Sequence, residues 1–264
     1  MSDFDRNVAA AQYGRPMTRA ETAVIDEGLR AYMLRIYNYM VLGLAITGFA
    51  ALGTYLASVT GDPSAAAARL PNGIMLSSIG YALFVSPLKW AVILAPLGLV
   101  FFLGMRIQNM STSAAHTTFW VFAALIGLSL GSIFLVYTHT SIVRVFFITA
   151  ASFGALSLWG YTTQRDISAW GSFLIMGLVG IIIASLVNLF IASSALQFVV
   201  SVVGVLVFAG LTAWDTQRLK SEYVYGAMEG ATLEKSAIMG ALSLYLNFIN
   251  LFTMLLQLFG QRQE

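Results

Sequence analysis

Long apolar runs divided by short polar breaks set the pattern of this chain. A helix needs about 20 mostly apolar residues to cross a bilayer. Seven segments reach that length: 36–58, 87–106, 115–137, 142–162, 169–191, 194–215 and 237–259. The pattern predicts an all-α integral membrane protein with seven transmembrane helices. The membrane domain takes up residues 31–264, behind a cytoplasmic polar tail and helix lead-in at 1–30. Within that lead-in, residues 1–17 read as a disordered tail. Thr18-Arg19-Ala20-Glu21 fits a capping box, in which the Thr18 hydroxyl accepts the Glu21 amide proton. Asp26 and Arg30 stand one turn apart and are expected to pair on the wet face.

The stretch 59–86 joins the first two spans. It holds Pro63, a small-residue run from Ser64 to Ala68, and the turn signal Pro71-Asn72-Gly73. Ile74 to Val85 is apolar but short, so it reads as a re-entrant or surface element, with an eighth span as the alternative. Aromatic residues mark span edges, as expected at headgroup level: Trp90, Trp159 with Tyr161, Trp170 and Trp214.

Composition removes the soluble alternative. Hydrophobic residues make up 58% of the 264 and charged residues 10%, against about 25% charged in soluble domains. There is no cysteine, which excludes disulfides and thiolate metal sites, and the net charge of +2 is too small to argue for nucleic acid. No short apolar stretch precedes a cleavage signal in the first 30 residues, so the first span is expected to direct insertion. Alternation of seven spans puts ten of the 14 Lys and Arg residues on the side of the N-terminus, which predicts a cytoplasmic N-terminus.

Small residues recur where helices in lipid must touch, as in Gly127 with Gly131 and Gly177 with Gly180. Ionisable residues inside a span are costly and therefore functional candidates. Asp215 closes the sixth span, Arg106 closes the second, and Asp166 follows the fourth. Asp166 fits a side chain reaching the interface, whereas Asp215 follows a long apolar, aromatic segment. The deep polar groups are amides: Asn247 and Asn250 beside Tyr245 in the seventh span, and Asn188 in the fifth. For Asn188 and Asn250 a bond across helices is the expected role.

Enzyme signatures carry little. Gly127-Leu128-Ser129-Leu130-Gly131 fits G-x-S-x-G, but that pattern works at a strand-to-helix turn and here lies in an apolar helix. His116 is 13 residues from Ser129, about 20 Å along a helix, and His139 falls in an external loop. Asp215 has no second deep acid for aspartyl chemistry. The chain is expected not to be an enzyme, to need no cofactor and to hold no structural metal.

Ala241-Leu242-Ser243-Leu244-Tyr245-Leu246-Asn247-Phe248-Ile249-Asn250-Leu251-Phe252 closely resembles the signature of the Bax inhibitor family, the transmembrane Bax-inhibitor-motif proteins with many bacterial members. The likeness continues through Leu255-Leu256-Gln257-Leu258-Phe259-Gly260. It recurs at Phe153-Gly154-Ala155-Leu156-Ser157-Leu158-Trp159-Gly160-Tyr161-Thr162-Thr163, at Arg165-Asp166-Ile167-Ser168 and at Trp214-Asp215-Thr216-Gln217. It covers about residues 30 to 260.

The resemblance implies six helices around a central seventh, a bacterial inner-membrane location, and a pH-dependent cation leak with calcium the usual ion. It implies two facing aspartates on the sixth and seventh helices that share protons and pair with an arginine ending the second. By position these are Asp215, Asn247 and Arg106. Asn247 stands where the family has the second aspartate, so the repulsion that raises one carboxyl's pKa is absent. A hard cation would find one carboxylate and one neutral oxygen. Weakened acid gating and weakened calcium binding are expected, with Asp215 ionised beside Arg106. Asp166 and Asn250 are secondary candidates. A glutamate–arginine pair of some bacterial members is replaced by Ala95 and Gln257.

Two functional readings follow. One is a cation leak along the central helix. The other is a non-conducting regulator that binds a membrane protease or another stress-response partner through the tail and loop 216–236.

Overall fold

The computed structural model describes residues 19–226 and 230–263, with side chains from residue 26 and none at 225 and 226. The tail at 1–17 and the capping-box residue Thr18 lie outside the described residues. Helix α1 runs unbroken over Arg19–Ser58. A two-stranded ribbon follows, β1 (Ala68–Arg69) paired antiparallel with β2 (Met75–Leu76), then short helix α2 (Ser78–Phe84). The remaining helices are α3 (Leu88–Arg106), α4 (Thr112–Leu130), the single turn α5 (Ile133–Val136), α6 (His139–Thr162), α7 (Trp170–Ile191), α8 (Ser194–Gly226) and α9 (Gly230–Phe259).

Among the described residues seven helices are long and apolar enough to cross a membrane. This is an all-α multi-pass membrane protein. Several span ends coincide with the sequence reading: α1 ends at Ser58, α3 at Arg106, α6 at Thr162, α7 at Ile191 and α9 at Phe259.

The connection 59–86 contains no further span. Seven residues in α2 rise only about 10 Å. The Pro71-Asn72-Gly73 signal is the ribbon turn: Gly73 has φ +85, which a Cβ would disfavour, and its N–H donates to Leu70 O at 2.9 Å. The expected loop 216–236 is a correction. Helix α8 continues to Gly226 and α9 begins at Gly230. The apolar run stops near 215, but Gln217, Arg218, Lys220 and Glu222 are polar residues that a helix accommodates in water. Ion pairs one turn apart support the extension: Arg218 with Asp215 (i,i+3) at 2.7 Å and, more weakly, with Glu222 (i,i+4) at 3.7 Å.

The chain divides into two compact units. One holds residues up to Asn38 together with Arg144–Phe259, the other Tyr39–Val143 together with Gly260–Glu264. In the second unit Gly127 faces the Thr47 carbonyl and Ala50 Cβ, and Gly131 faces Thr54, which is the packing use expected of that small-residue pair. Thr47 donates to the Ala123 carbonyl at 2.9 Å, so α1 and α4 are also tied by a polar bond. Residues 261 and 263 bond to Thr138 and Val136 at 2.9 Å each, fastening the chain end to the α5–α6 turn.

In the first unit α8 and α9 pack along each other, with α7 on α8. Gly160 of α6 lies against the backbone of Ala213, and Gly177 of α7 against Val207. Gly180, expected to be a contact glycine, has nothing within 4 Å of a Cβ built there. Helix α9 is the most enclosed span. In its most apolar stretch 61% of residues are buried, against 11% to 39% in the other six. Its buried set, Ala237, Ala241, Leu244, Phe248, Leu251 and Leu255 among others, recurs every three or four residues and so covers one broad face.

Candidate functional site in the first unit

The buried polar centre lies where α8 meets α9. Asp215 and Asn247 are each 6% exposed. The Asn247 amide Nδ2 donates to Asp215 Oδ2 at 2.7 Å. The Arg218 guanidinium donates to the other carboxylate oxygen, Oδ1, at 2.7 Å. An ionised carboxylate offers acceptors only, and both oxygens are used as acceptors here. These short contacts have the length of charge-assisted bonds. Charge burial is tolerated because the carboxylate is paired and hydrogen-bonded at once.

Arg218 is the residue that the sequence reading missed. It is the cation on Asp215 within the first unit. Its guanidinium lies 5.0 Å from the Trp214 ring centroid and reaches Ser243 Oγ at 3.5 Å. The side chain is 38% exposed, so it links the buried acid to the wet end of α8. The signal was the spacing of three between an acid and an arginine, legible once α8 is carried past Asp215. Arg106 ends α3 in the second unit with its side chain exposed.

The segments flanking this centre are tied together by side chains. Gln217 Oε1 accepts from the Ile167 amide at 2.9 Å, and its Nε2 donates to the Arg165 carbonyl at 2.8 Å. Ser157 and Thr216 hydroxyls bond at 2.9 Å, and Tyr37 bonds Ser157 at 2.5 Å. Trp214 lies over Gly171, where a Cβ would overlap the indole. Trp214 therefore packs α8 against α7 while remaining part-exposed.

Asp166 is exposed and accepts from the Ser168 amide at 2.9 Å, a local turn leading into α7. The Ser168 hydroxyl, and after it the Ser168 amide, bond the Asp166 carboxylate and hold it below the usual range.

Asn250 and Asn188 act locally, which corrects the bonds across helices expected of these two. Asn250 donates to its own helix at Leu246 O, 2.8 Å. Asn188 accepts from the Ser193 amide at 3.0 Å and closes the α7–α8 turn, where Ala192 has φ +52. Gln257 accepts from Ser201 Oγ at 2.8 Å. Ser129 lies within helix α4, and His116 and His139 are packed against Tyr39 and Tyr55, with ring centroids 4.8 and 5.3 Å apart.

The family model described as inhibitor of apoptosis-promoting Bax1 matches residues 29–264. The chain belongs to the Bax inhibitor family. Inner membrane protein YbhL of Escherichia coli K12 is 44% identical over 238 residues, 89% of this chain and 94% of that protein. A protein of Rickettsia prowazekii is 44% identical over 247 residues, 94% of this chain and 96% of its own length. One of Caulobacter vibrioides is 43% identical over the full length of both chains. Residues of all three Bax-inhibitor-like segments lie near Asp215: Ser157 and Ile167 from the first, Thr216 and Gln217 from the second, and Ser243 and Asn247 from the third. In this family member Ser157 and Thr216, Gln217 and the 165–167 backbone, and Asp215 and Asn247 are all bonded pairs.

Proposed function

We propose that this chain is a cation leak protein of a bacterial inner membrane, with calcium the favoured ion and the N-terminus cytoplasmic. The cation is met by Asp215, assisted by Asn247. The observation that carries the reading is a buried carboxylate in one span, bonded to an amide of the most enclosed span and charge-matched by a half-exposed arginine. An acid inside a membrane segment costs free energy and marks a functional position by default. Hard cations favour carboxylate and amide oxygens.

One carboxylate and one amide make a weak site, suited to passage more than retention. Arg218 already holds Asp215 Oδ1, so an arriving cation competes with a tethered guanidinium. Arg218 therefore takes the closed-state role that the resemblance gave to Arg106. With Asn247 neutral, two carboxylates do not share a proton, and acid gating is weak. The reading assigns a conduit and no catalysis.

Calcium entry into dye-loaded proteoliposomes tests it. The wild type should exceed empty liposomes, Asp215→Asn should lose that excess, and Arg218→Gln should raise it. Wild-type flux at the empty-liposome level would remove the leak reading. It would leave the non-conducting regulator, for which capture of a membrane protease or stress-response partner is the next experiment.

A further inference from the structure

The first half of α1 makes contacts that a plain membrane entry does not need. Leu29, Tyr32, Met33 and Ile36 are 4%, 1%, 3% and 0% exposed, and their spacing puts them on one face of the helix. That face lies across the polar ends of α8 and α9. Tyr32 stacks on Tyr223 of α8 with centroids 5.3 Å apart, and its hydroxyl bonds Ser236 of α9 at 2.8 Å. Gly28 sits under the Tyr223 hydroxyl, where a Cβ would collide. Arg35 pairs with Glu234 of α9 at 2.6 Å. Gly240 of α9 has both Leu219 of α8 and Ile36 of α1 against it.

We propose that residues 26–37 form a strap that holds α8 to α9, and that its release admits cations to Asp215. The inference rests on the cation reading of that site. The 2.7 Å bond between Asp215 and Asn247 exists only while these two helices stay together. The strap touches both helices, with one residue, Tyr32, gripping the two at once. Its charged link is the weak point. Arg35 and Glu234 side chains are 41% and 20% exposed, open to water, salt and competing charge. The apolar stripe of the strap is already covered, so it acts within the chain.

The natural absence of cysteine makes the test clean. Arg35→Cys with Glu234→Cys, oxidised in the full-length protein, should suppress calcium flux in proteoliposomes, and reductant should restore it. Glu234→Gln should raise flux about two- to fivefold, as for a partly exposed pair. Arg35→Glu with Glu234→Arg should return it toward wild type. A second readout does not depend on conduction. Ser243→Cys, beside Arg218, should react faster with a cationic methanethiosulfonate when Glu234→Gln is added, and at the original rate when the pair is swapped.

If flux disappears in Asp215→Asn yet is unmoved by the cross-link and by Glu234→Gln, the site stands and the strap is overturned. If no variant conducts above empty liposomes, the leak reading fails, and the labelling rates decide the strap. Equal rates in all three backgrounds would overturn it.

Discussion

Asn247 and Arg218 hold the two oxygens of Asp215 separately, the amide on Oδ2 and the guanidinium on Oδ1, each at 2.7 Å. Each carboxylate oxygen thus has one donor, a neutral one from the most enclosed helix and a charged one from its own. Each donor can be removed independently.

Asn247→Asp places a second carboxyl at hydrogen-bond distance from the first. Two such groups cannot both ionise cheaply, so the pair takes up a shared proton. Arg218 faces the pair and favours ionisation, while Glu222, one turn beyond Arg218, opposes it. Flux in Asn247→Asp should show a stronger pH dependence between about 5 and 8 than the parent's. Superimposable pH profiles for the two proteins would show that these residues do not couple.

Arg218→Gln leaves a buried charge with only the amide. For fully buried pairs such a removal costs about 3 to 5 kcal/mol. Here the arginine is 38% exposed, so water compensates in part and a smaller loss of about 1 to 2 kcal/mol is expected. The double variant Asp215→Asn, Arg218→Gln should recover most of it. Denaturant unfolding in detergent, read as a double-mutant cycle, measures the coupling, and simple additivity would mean that the pair contributes nothing.

Gly160→Ala and Gly154→Ala sit two turns apart on α6 and should differ in sign. A Cβ at 160 meets the Ala213 backbone, which cannot move aside, whereas nothing lies within 4 Å at 154. Overpacking should cost the first about 1 to 3 kcal/mol. The second should be neutral or gain up to about 1 kcal/mol from helix propensity. Melting temperatures in one detergent give the comparison, and equal losses would contradict the α6–α8 contact.

Ala192→Gly should stabilise the α7–α8 turn. Ala192 adopts φ +52, ψ +36, a left-handed C-cap that costs an L residue about 1 to 2 kcal/mol. The greater freedom of glycine in the unfolded chain offsets part of this, leaving a gain of about 0.5 to 1 kcal/mol. A lowered melting temperature would contradict the cap geometry.

The span pattern was legible because lipid imposes it: Ser58, Arg106, Thr162, Ile191 and Phe259 end helices where apolar runs end. The join of Asp215 to Asn247 was legible through the family signature, since no spacing relates residues 32 apart. Arg218 was hidden by equating the end of the apolar run with the end of the helix. Asn188 and Asn250 look alike in sequence to Asn247, but their amides serve a turn and their own helix. Which partner an amide finds depends on the facing helix, and that depends on packing that one chain's pattern does not encode. The polar lead-in is drawn only to residue 30, so the sequence pattern splits the strap, although Leu29, Tyr32, Met33 and Ile36 carry the period of one buried face.

Infrared difference spectroscopy on calcium addition tests most directly whether the ion meets Asp215. The wild type in lipid should show a shift of a carboxylate stretching band as Asp215 exchanges Arg218 for the ion, and Asp215→Asn should lack that band. The same difference spectrum from both proteins would place the cation elsewhere and contradict the account.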